Sequence, residues 1–225
     1  MKFFLPKYPA LLKWLYPQRI SRINKANSIY LTFDDGPVPE VTPWVLDELK
    51  KFNARATFFC IGENIAKHPD IFKRIILEGH TIGNHTHNHL DGWKTSAPGY
   101  MENIKLAEER ISSLQSGSKH PEKEKRIESS PFFRPPYGKI KNSQARMVRN
   151  AGYKIVMWDV ISGDYNQNFS AEKCYKNVTE NAVPGSTIVL HDSIKAFGNL
   201  RVFLPRILDY YKEKGIEFRS LKDIP

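Results

Sequence analysis

A chain of 225 residues, 40% hydrophobic and 12% aromatic, suits one domain or a small pair with a real core, which excludes a disordered tail. No apolar run approaches the roughly 18–20 residues of a membrane span, and two cysteines, Cys60 and Cys174, with no metal-ligand spacing argue against a disulfide framework. The formal charge of +10 and pI near 9.5 favour an anionic partner, but no Lys/Arg block with interleaved aromatics is present, so no nucleic acid is expected.

Residues 1–23 are apolar and aromatic but broken by Pro6, Pro9 and Pro17, with Lys2, Lys7 and Lys13 scattered among them. The unbroken apolar stretch and small-residue cleavage site of a signal peptide are not evident. The segment 1–27 reads as an N-terminal wrap or linker, with a catalytic domain over 28–225. Its rival reading is an interfacial anchor of Tyr8, Leu11, Leu12, Trp14 and Leu15 beside lysines. A cytoplasmic or loosely membrane-associated location is expected.

An apolar, β-branched run over 28–33 predicts a strand that Gly36-Pro37 stops. Val45, Leu46, Leu49 and Phe52 give helical spacing around 43–51. A buried strand follows over 56–61, with Cys60 as a small hydrophobe, then a helix over 63–77 in two pieces interrupted at Pro69. A short strand is expected at 80–83. A helix over 100–114 carries Ile104, Ala107, Ile111 and Leu114 on one face, and 115–130 is a polar, exposed loop. The remaining expectations are a strand at 131–134, a helix at 143–151 closed by Gly152, and a strand at 153–158. They continue with a helix at 171–181, a strand at 187–190, a helix at 200–214 stopped at Gly215, and a strand at 216–218. Strands alternating with helices predict an α/β fold with a parallel sheet, and six or seven units suit a compact β/α barrel short of eight.

Chemistry recurs at the strand ends, where α/β folds bind ligands. Asp34 and Asp35 are adjacent carboxylates that need positive charge, from a metal ion or an arginine; the bland reading is one turn cap and one solvated carboxylate. His85-Thr86-His87-Asn88-His89 packs three of the seven histidines into five residues. On a helical turn His85 and His89 share a face; on a strand all three do. Either suits a metal such as zinc, against the alternative of a solvated polar loop. His68, His80 and His120 lack such company. Arg134 precedes Pro135-Pro136-Tyr137-Gly138, a stiff turn whose Tyr137 amide is a candidate oxyanion donor. Asp159 and Asp164 follow the fifth strand, and His191 ends the sixth.

Taken together, Thr-Phe-Asp34-Asp35-Gly-Pro, His85-Thr-His-Asn-His89, Arg134-Pro-Pro-Tyr-Gly, Asp164-Tyr165 and Val189-Leu190-His191 resemble the five ordered motifs of the polysaccharide deacetylases, the carbohydrate esterase family 4 or NodB-homology enzymes. The resemblance implies a distorted (β/α)7 barrel and metal-dependent removal of N-acetyl groups from amino-sugar polymers such as chitin oligosaccharides or peptidoglycan. It implies one divalent metal ion, zinc first with cobalt or nickel as alternatives, on Asp35, His85 and His89. It further implies Asp34 as general base paired with Arg134, His191 as general acid oriented by Asp164, and an acetyl slot at Val189 and Leu190. Tyr165 and Trp93 are candidate sugar-stacking residues, while Trp44 and Trp158 are expected in the core. Tyr165 stands where the family usually has Trp, and Val189 where Leu is common. His87 is an extra imidazole expected to face outward. The same rim acting on an O-acetyl sugar, a cyclic imide or another small amide, and a non-catalytic glycan-binding barrel, remain as alternatives.

Overall fold

The computed structural model describes residues 4–24, 27–115 and 131–223. Its strands are β1 (Ser28–Asp34), β2 (Thr57–Cys60), β3 (Thr81–Asn84), β4 (Phe132–Phe133), β5 (Lys154–Ile155), β6 (Val160–Ile161), β7 (Thr187–His191) and β8 (Glu217–Phe218). The helices are α1 (Ala10–Leu15), α2 (Val41–Lys51), α3 (Gly62–Lys67), α4 (Pro69–Leu77), α5 (Ala97–Gln115), α6 (Asn142–Asn150), α7 (Ala171–Thr179) and α8 (Ile194–Glu213). Every strand pairing is parallel, in the order β5-β4-β3-β2-β1-β7-β6, with β8 beside the start of β1. The two outer strands, β5 and β6, are separated in sequence only by residues 156–159. So short a connection reaches at most about 18 Å, so the sheet curls until its edges approach. The expected distorted β/α barrel is therefore the observed fold.

Residues 4–24 run along those two edges. Ile20 bridges Val156 in parallel and Lys7 bridges Val160 in antiparallel sense. The Ile20 N–H donates to the Ile155 carbonyl at 2.9 Å, and the Tyr8 N–H to the Asp159 carbonyl at 2.9 Å.

Period-two alternation sorts the strands. Ile29, Leu31 and Phe33 of β1, with Ile188 and Leu190 of β7, join the core shared with the helices. Tyr30, Phe59, Phe132 and Val156 form a second apolar cluster with Ile23 and Leu221. Thr32 and Asp34, on the Tyr30 face of β1, continue that face toward the strand's C-terminal end.

Some expectations change. The strand predicted at 153–158 is two short strands, β5 and β6, because the chain crosses between the sheet's two edges there. Helix α8 begins at Ile194 rather than 200, and Gly198 within it has nothing within 4 Å of where a Cβ would sit. Helix α1 was not expected as a helix. Gln115 ends α5, and the rest of the predicted loop, with His120, lies outside the described residues. Both cysteines are free and buried, and Trp44 and Trp158 pack half-buried against two apolar cores.

Candidate active site

Strand register assembles the site. In the β1–β7 ladder Asp34 lies level with His191, so a carboxylate and an imidazole stand side by side on adjacent strand ends. Asn84 of β3 lies level with Phe133 of β4, which brings His85 beside Arg134. All four side chains leave the C-terminal rim of the parallel sheet, where such folds bind ligands.

Arg134 is the hub. It is buried and its guanidinium lies 4.1 Å over the Phe59 ring. Its Nη1 donates to Asp34 Oδ1 at 2.6 Å and to Thr32 Oγ1 at 2.7 Å, and Nη2 donates to the Met157 carbonyl at 2.8 Å. Burial alone would raise the Asp34 pKa. The guanidinium, with His85 and His191 nearby, outweighs it and holds the carboxyl below its ordinary value. The Arg134 main-chain carbonyl meanwhile accepts from His85 Nδ1 at 2.8 Å. One residue thus fixes both Asp34 and the tautomer of His85.

A carbonyl only accepts, so His85 carries its proton on Nδ1 and presents a bare Nε2 lone pair. Burial pushes the His85 pKa down to about 4, which keeps the ring neutral. Its Nε2 lies 3.8 Å from Asp35 Oδ1, and His89 Nε2 lies 3.3 Å from the same oxygen. Asp35 Oδ1 is buried without a hydrogen-bond partner. The three ligand atoms of Asp35, His85 and His89 lie within 4.8 Å of one another. Acceptors facing acceptors repel unless a cation sits between them, and two imidazoles plus a carboxylate are a zinc-type donor set. The residues present therefore fit a divalent ion.

The convergence of His85 and His89 comes from neither a helix nor a strand. Residues 85–90 form a loop in which Thr86 (φ 64°) and His89 (φ 54°) adopt left-handed backbone, as do Asp35 (φ 85°) and Tyr137 (φ 59°). Left-handed conformation in non-glycine residues is costly and clusters at functional sites. His87, expected to face outward, is half-buried instead. Its Nδ1 would lie 2.5 Å from a Cβ at Gly62, and it is outside the ligand group. The strained turn at Thr86 sends its ring toward α3.

The second polar pair is His191 and Asp164. Asp164 Oδ1 lies 2.8 Å from His191 Nδ1, and Oδ2 accepts the His191 backbone N–H at 2.8 Å. Burial alone would lower the His191 pKa. The buried Asp164 carboxylate overrides it, with Asp35 and Asp34 adding, and raises it to about 9. His191 is therefore an imidazolium at neutral pH, beside an ionised Asp34.

The other predicted residues divide. Tyr137 is exposed on the rim, and its hydroxyl meets His89 Nδ1 at 3.1 Å, a contact the residue pattern did not announce. Tyr165 packs edge-on against the His191 ring at 5.0 Å. Trp93 is exposed, with Lys139 Nζ 5.4 Å from its ring and from that of Tyr137. Val189 shares the His191 face of β7. Leu190, expected in the acetyl slot, points the other way into the helix-packed core, since alternate strand residues face opposite sides. Asp159 is not in the site; its carboxylate takes Lys13 Nζ at 2.5 Å and Lys7 Nζ at 3.4 Å.

Sequence reasoning missed Asp192. It is buried, and its Oδ1 accepts the Gly36 N–H at 3.0 Å while Oδ2 accepts the Thr42 hydroxyl at 2.6 Å. Its own N–H donates to the Asp34 carbonyl at 3.1 Å. A Cβ on Gly36 would stand 1.9 Å from Asp192 Oδ2, so only glycine fits there. The Gly-Pro after the two aspartates, read as a mere stop, was the available signal.

Comparisons with known proteins place the chain among similar sequences and structures. Residues 21–156 match the family model described as polysaccharide deacetylase. Two peptidoglycan-N-acetylglucosamine deacetylases of Bacillus cereus are similar. One is 39% identical over 201 residues, covering 88% of this chain and 68% of its own; the other is 34% identical over 203 residues, covering 89% of each. A chitooligosaccharide deacetylase of Azorhizobium caulinodans is 37% identical over 170 residues, covering 74% of each. Among solved structures, the Bc1960 peptidoglycan N-acetylglucosamine deacetylase, in complex with 4-naphthalen-1-yl-N-oxidanyl-benzamide, superposes with a TM-score of 0.83 at 34% identity over 96% of each chain.

Proposed function

The chain belongs to the polysaccharide deacetylase family of carbohydrate-modifying hydrolases, and from that premise we propose that it is a metal-dependent enzyme that removes the N-acetyl group from N-acetylglucosamine of peptidoglycan. The names of the Bacillus cereus relatives support that substrate. Asp35, His85 and His89 would hold one divalent ion, zinc by donor type, with cobalt or nickel also compatible. When bound, such an ion acts as a Lewis acid that acidifies water and polarises a carbonyl.

The rest is the work of the chain's own groups. Asp34, kept ionised by Arg134, takes a proton from the attacking water. His191, kept protonated by Asp164, gives its proton to the amide nitrogen. An amine anion leaves poorly, so the C–N bond breaks productively only once that nitrogen is protonated. The Tyr137 N–H stabilises the developing oxyanion, and Val189 receives the acetyl methyl. Trp93 and Tyr165 border the sugar. Water and amide are consumed, and acetate and a free amine are formed in equal amounts.

The observation that carries this reading is a geometry: Asp34 bonded to Arg134 and His191 bonded to Asp164, with Asp34 and His191 level on adjacent strands. The test is acetate and free-amine release from peptidoglycan fragments and N-acetylated chito-oligosaccharides, as isolated, after chelation, and after adding back zinc or cobalt. Equal release that chelation stops and metal restores is expected. Acetate without amine would move the reading to O-deacetylation, and metal-loaded protein that releases no acetate would defeat it.

A further inference from the structure

We propose that the outer face of α1 is an interfacial anchor that docks the protein on an anionic phospholipid bilayer. Among the described residues, four of the large hydrophobic side chains most open to solvent fall within one short stretch. Leu5 is 53% exposed, Leu11 64%, Trp14 76% and Leu15 49%. Leu11, Trp14 and Leu15 stand at i, i+3 and i+4 on α1 and therefore share one face. The fold does not need that face. The helix is already held from the other side, where Tyr8 is buried and Leu12 packs with it and Trp158 on an apolar core. Lys13 and Lys7 pin the segment to the buried Asp159 carboxylate. Rigid backing with an apolar outer face is what a docking element requires, because little ordering remains to be done on binding.

Charge selects the partner. Residues 1–33 carry Lys2, Lys7, Lys13, Arg19, Arg22 and Lys25 and no Asp or Glu, in a chain of formal charge +10. Lys7 and Lys13 are paired with Asp159, which leaves Lys2, Arg19, Arg22 and Lys25 as the segment's excess positive charge; apolar side chains, a tryptophan and that excess match the interface of an anionic bilayer, which supplies acyl chains below and negative headgroups above. A second copy matches poorly, since apposing two such faces brings the excess positive charge of two segments together. No helix among the described residues is long and apolar enough to cross a membrane, so the contact is at the surface. The inner side of the same segment backs onto the loop that carries Tyr137. Tyr8 meets Trp158 at 5.3 Å between ring centroids, and Trp158 Cη2 stands 2.6 Å from where a Cβ on Gly138 would be.

The test is co-sedimentation of the full chain with vesicles of phosphatidylglycerol and phosphatidylcholine in equal parts, and with phosphatidylcholine alone. Binding to the first and not the second, weakened by added salt, is expected. The triple variant Leu11→Ser, Trp14→Ser, Leu15→Ser should lose about tenfold or more of that binding. Because all three side chains are exposed, its unfolding midpoint should stay near that of the unaltered protein, and Trp14→Ser alone gives an intermediate loss. No binding to anionic vesicles, or equal binding by the triple variant, would overturn the proposal. So would sedimentation velocity showing a dimer that the triple variant abolishes, which would assign the face to a second copy. Vesicle binding is read without turnover and stands or falls apart from the deacetylase reading.

Discussion

Replacing Asp164 by Asn tests the acid assignment most directly. In the native site, burial works against a charged His191, and the Asp164 carboxylate reverses that, raising the pKa from the ordinary 6.5 to about 9. The difference corresponds to about 3.4 kcal/mol favouring the imidazolium, at about 1.4 kcal/mol for each tenfold. Asn keeps the shape and still accepts the His191 backbone N–H, but it removes the charge. Burial then acts unopposed by that neighbour, and the pKa falls to about 6.5 or lower. At pH 8 the protonated fraction drops from about nine-tenths to about one-thirtieth, a loss of roughly thirtyfold from this effect alone. An acid must be protonated to act, so kcat/KM for the native enzyme holds up to about pH 9 and then declines. In Asp164→Asn the decline begins below about pH 7. The assay is acetate release from a peptidoglycan fragment with zinc in excess, from pH 5.5 to 10. A basic limb at the same pH in both proteins would show that His191 is not the group that must be protonated.

Other outcomes follow from the same contacts. Arg134→Met should leave Asp34 buried without its partner, cost about 3–5 kcal/mol in denaturant unfolding, and move the acidic limb of kcat/KM upward; Arg134→Lys should recover part of both, and an unmoved acidic limb in Arg134→Lys and Arg134→Met would refute the pairing. Tyr137→Phe should weaken zinc binding about 10–100-fold in a chelator competition, because the hydroxyl orients His89; unchanged affinity would remove that role. Asp192→Ala should cost about 2–4 kcal/mol by stranding the Gly36 N–H and the Thr42 hydroxyl, and a change under about 0.5 kcal/mol would refute the clamp. Burial raises the Asp192 pKa from 3.8 to about 8, so its contribution to stability is whole below about pH 4 and is lost as pH rises to about 8. Asp192→Asn should lack that slope in unfolding curves.

Alternation of apolar strands with amphipathic helices was enough to read the barrel, because each buried strand of a parallel sheet announces itself as a β-branched or aromatic run. Strands β5 and β6 blurred into one because each has two residues and the chain passes from one edge of the sheet to the other between them. In the site, the spacing of His85 and His89 was legible but their convergence was not. It depends on left-handed backbone at Thr86 and His89, which neither residue type signals. Leu190 was misread because a motif ignores the pleat, which turns successive side chains to opposite faces. Asp159 looked like a strand-end carboxylate, but its partners, Lys7 and Lys13, lie 152 and 146 positions away in sequence.

The site also shows why the arginine cannot be a mere counter-charge. A lysine would neutralise Asp34 as a point charge, but it has no planar fork to bond Thr32, Asp34 and the Met157 carbonyl together. Those three acceptors come from β1 and from the segment joining β5 to β6, elements that lie on different parts of the curled sheet. Because the same residue's carbonyl fixes the Nδ1 proton of His85, a shift of the Arg134 backbone would misplace the Asp34 carboxylate and turn the His85 Nε2 lone pair together. Asp192 does the same from the other side, holding the Asp34 carbonyl and the Gly36 N–H on either side of Asp35. The positions of Asp34, Asp35 and His85 are thus set by shared residues, and changing Arg134 and Asp192 together should give losses in metal affinity that are not the sum of the separate losses. Strict additivity in that double-mutant cycle would mean the two clamps act on independent parts of the site.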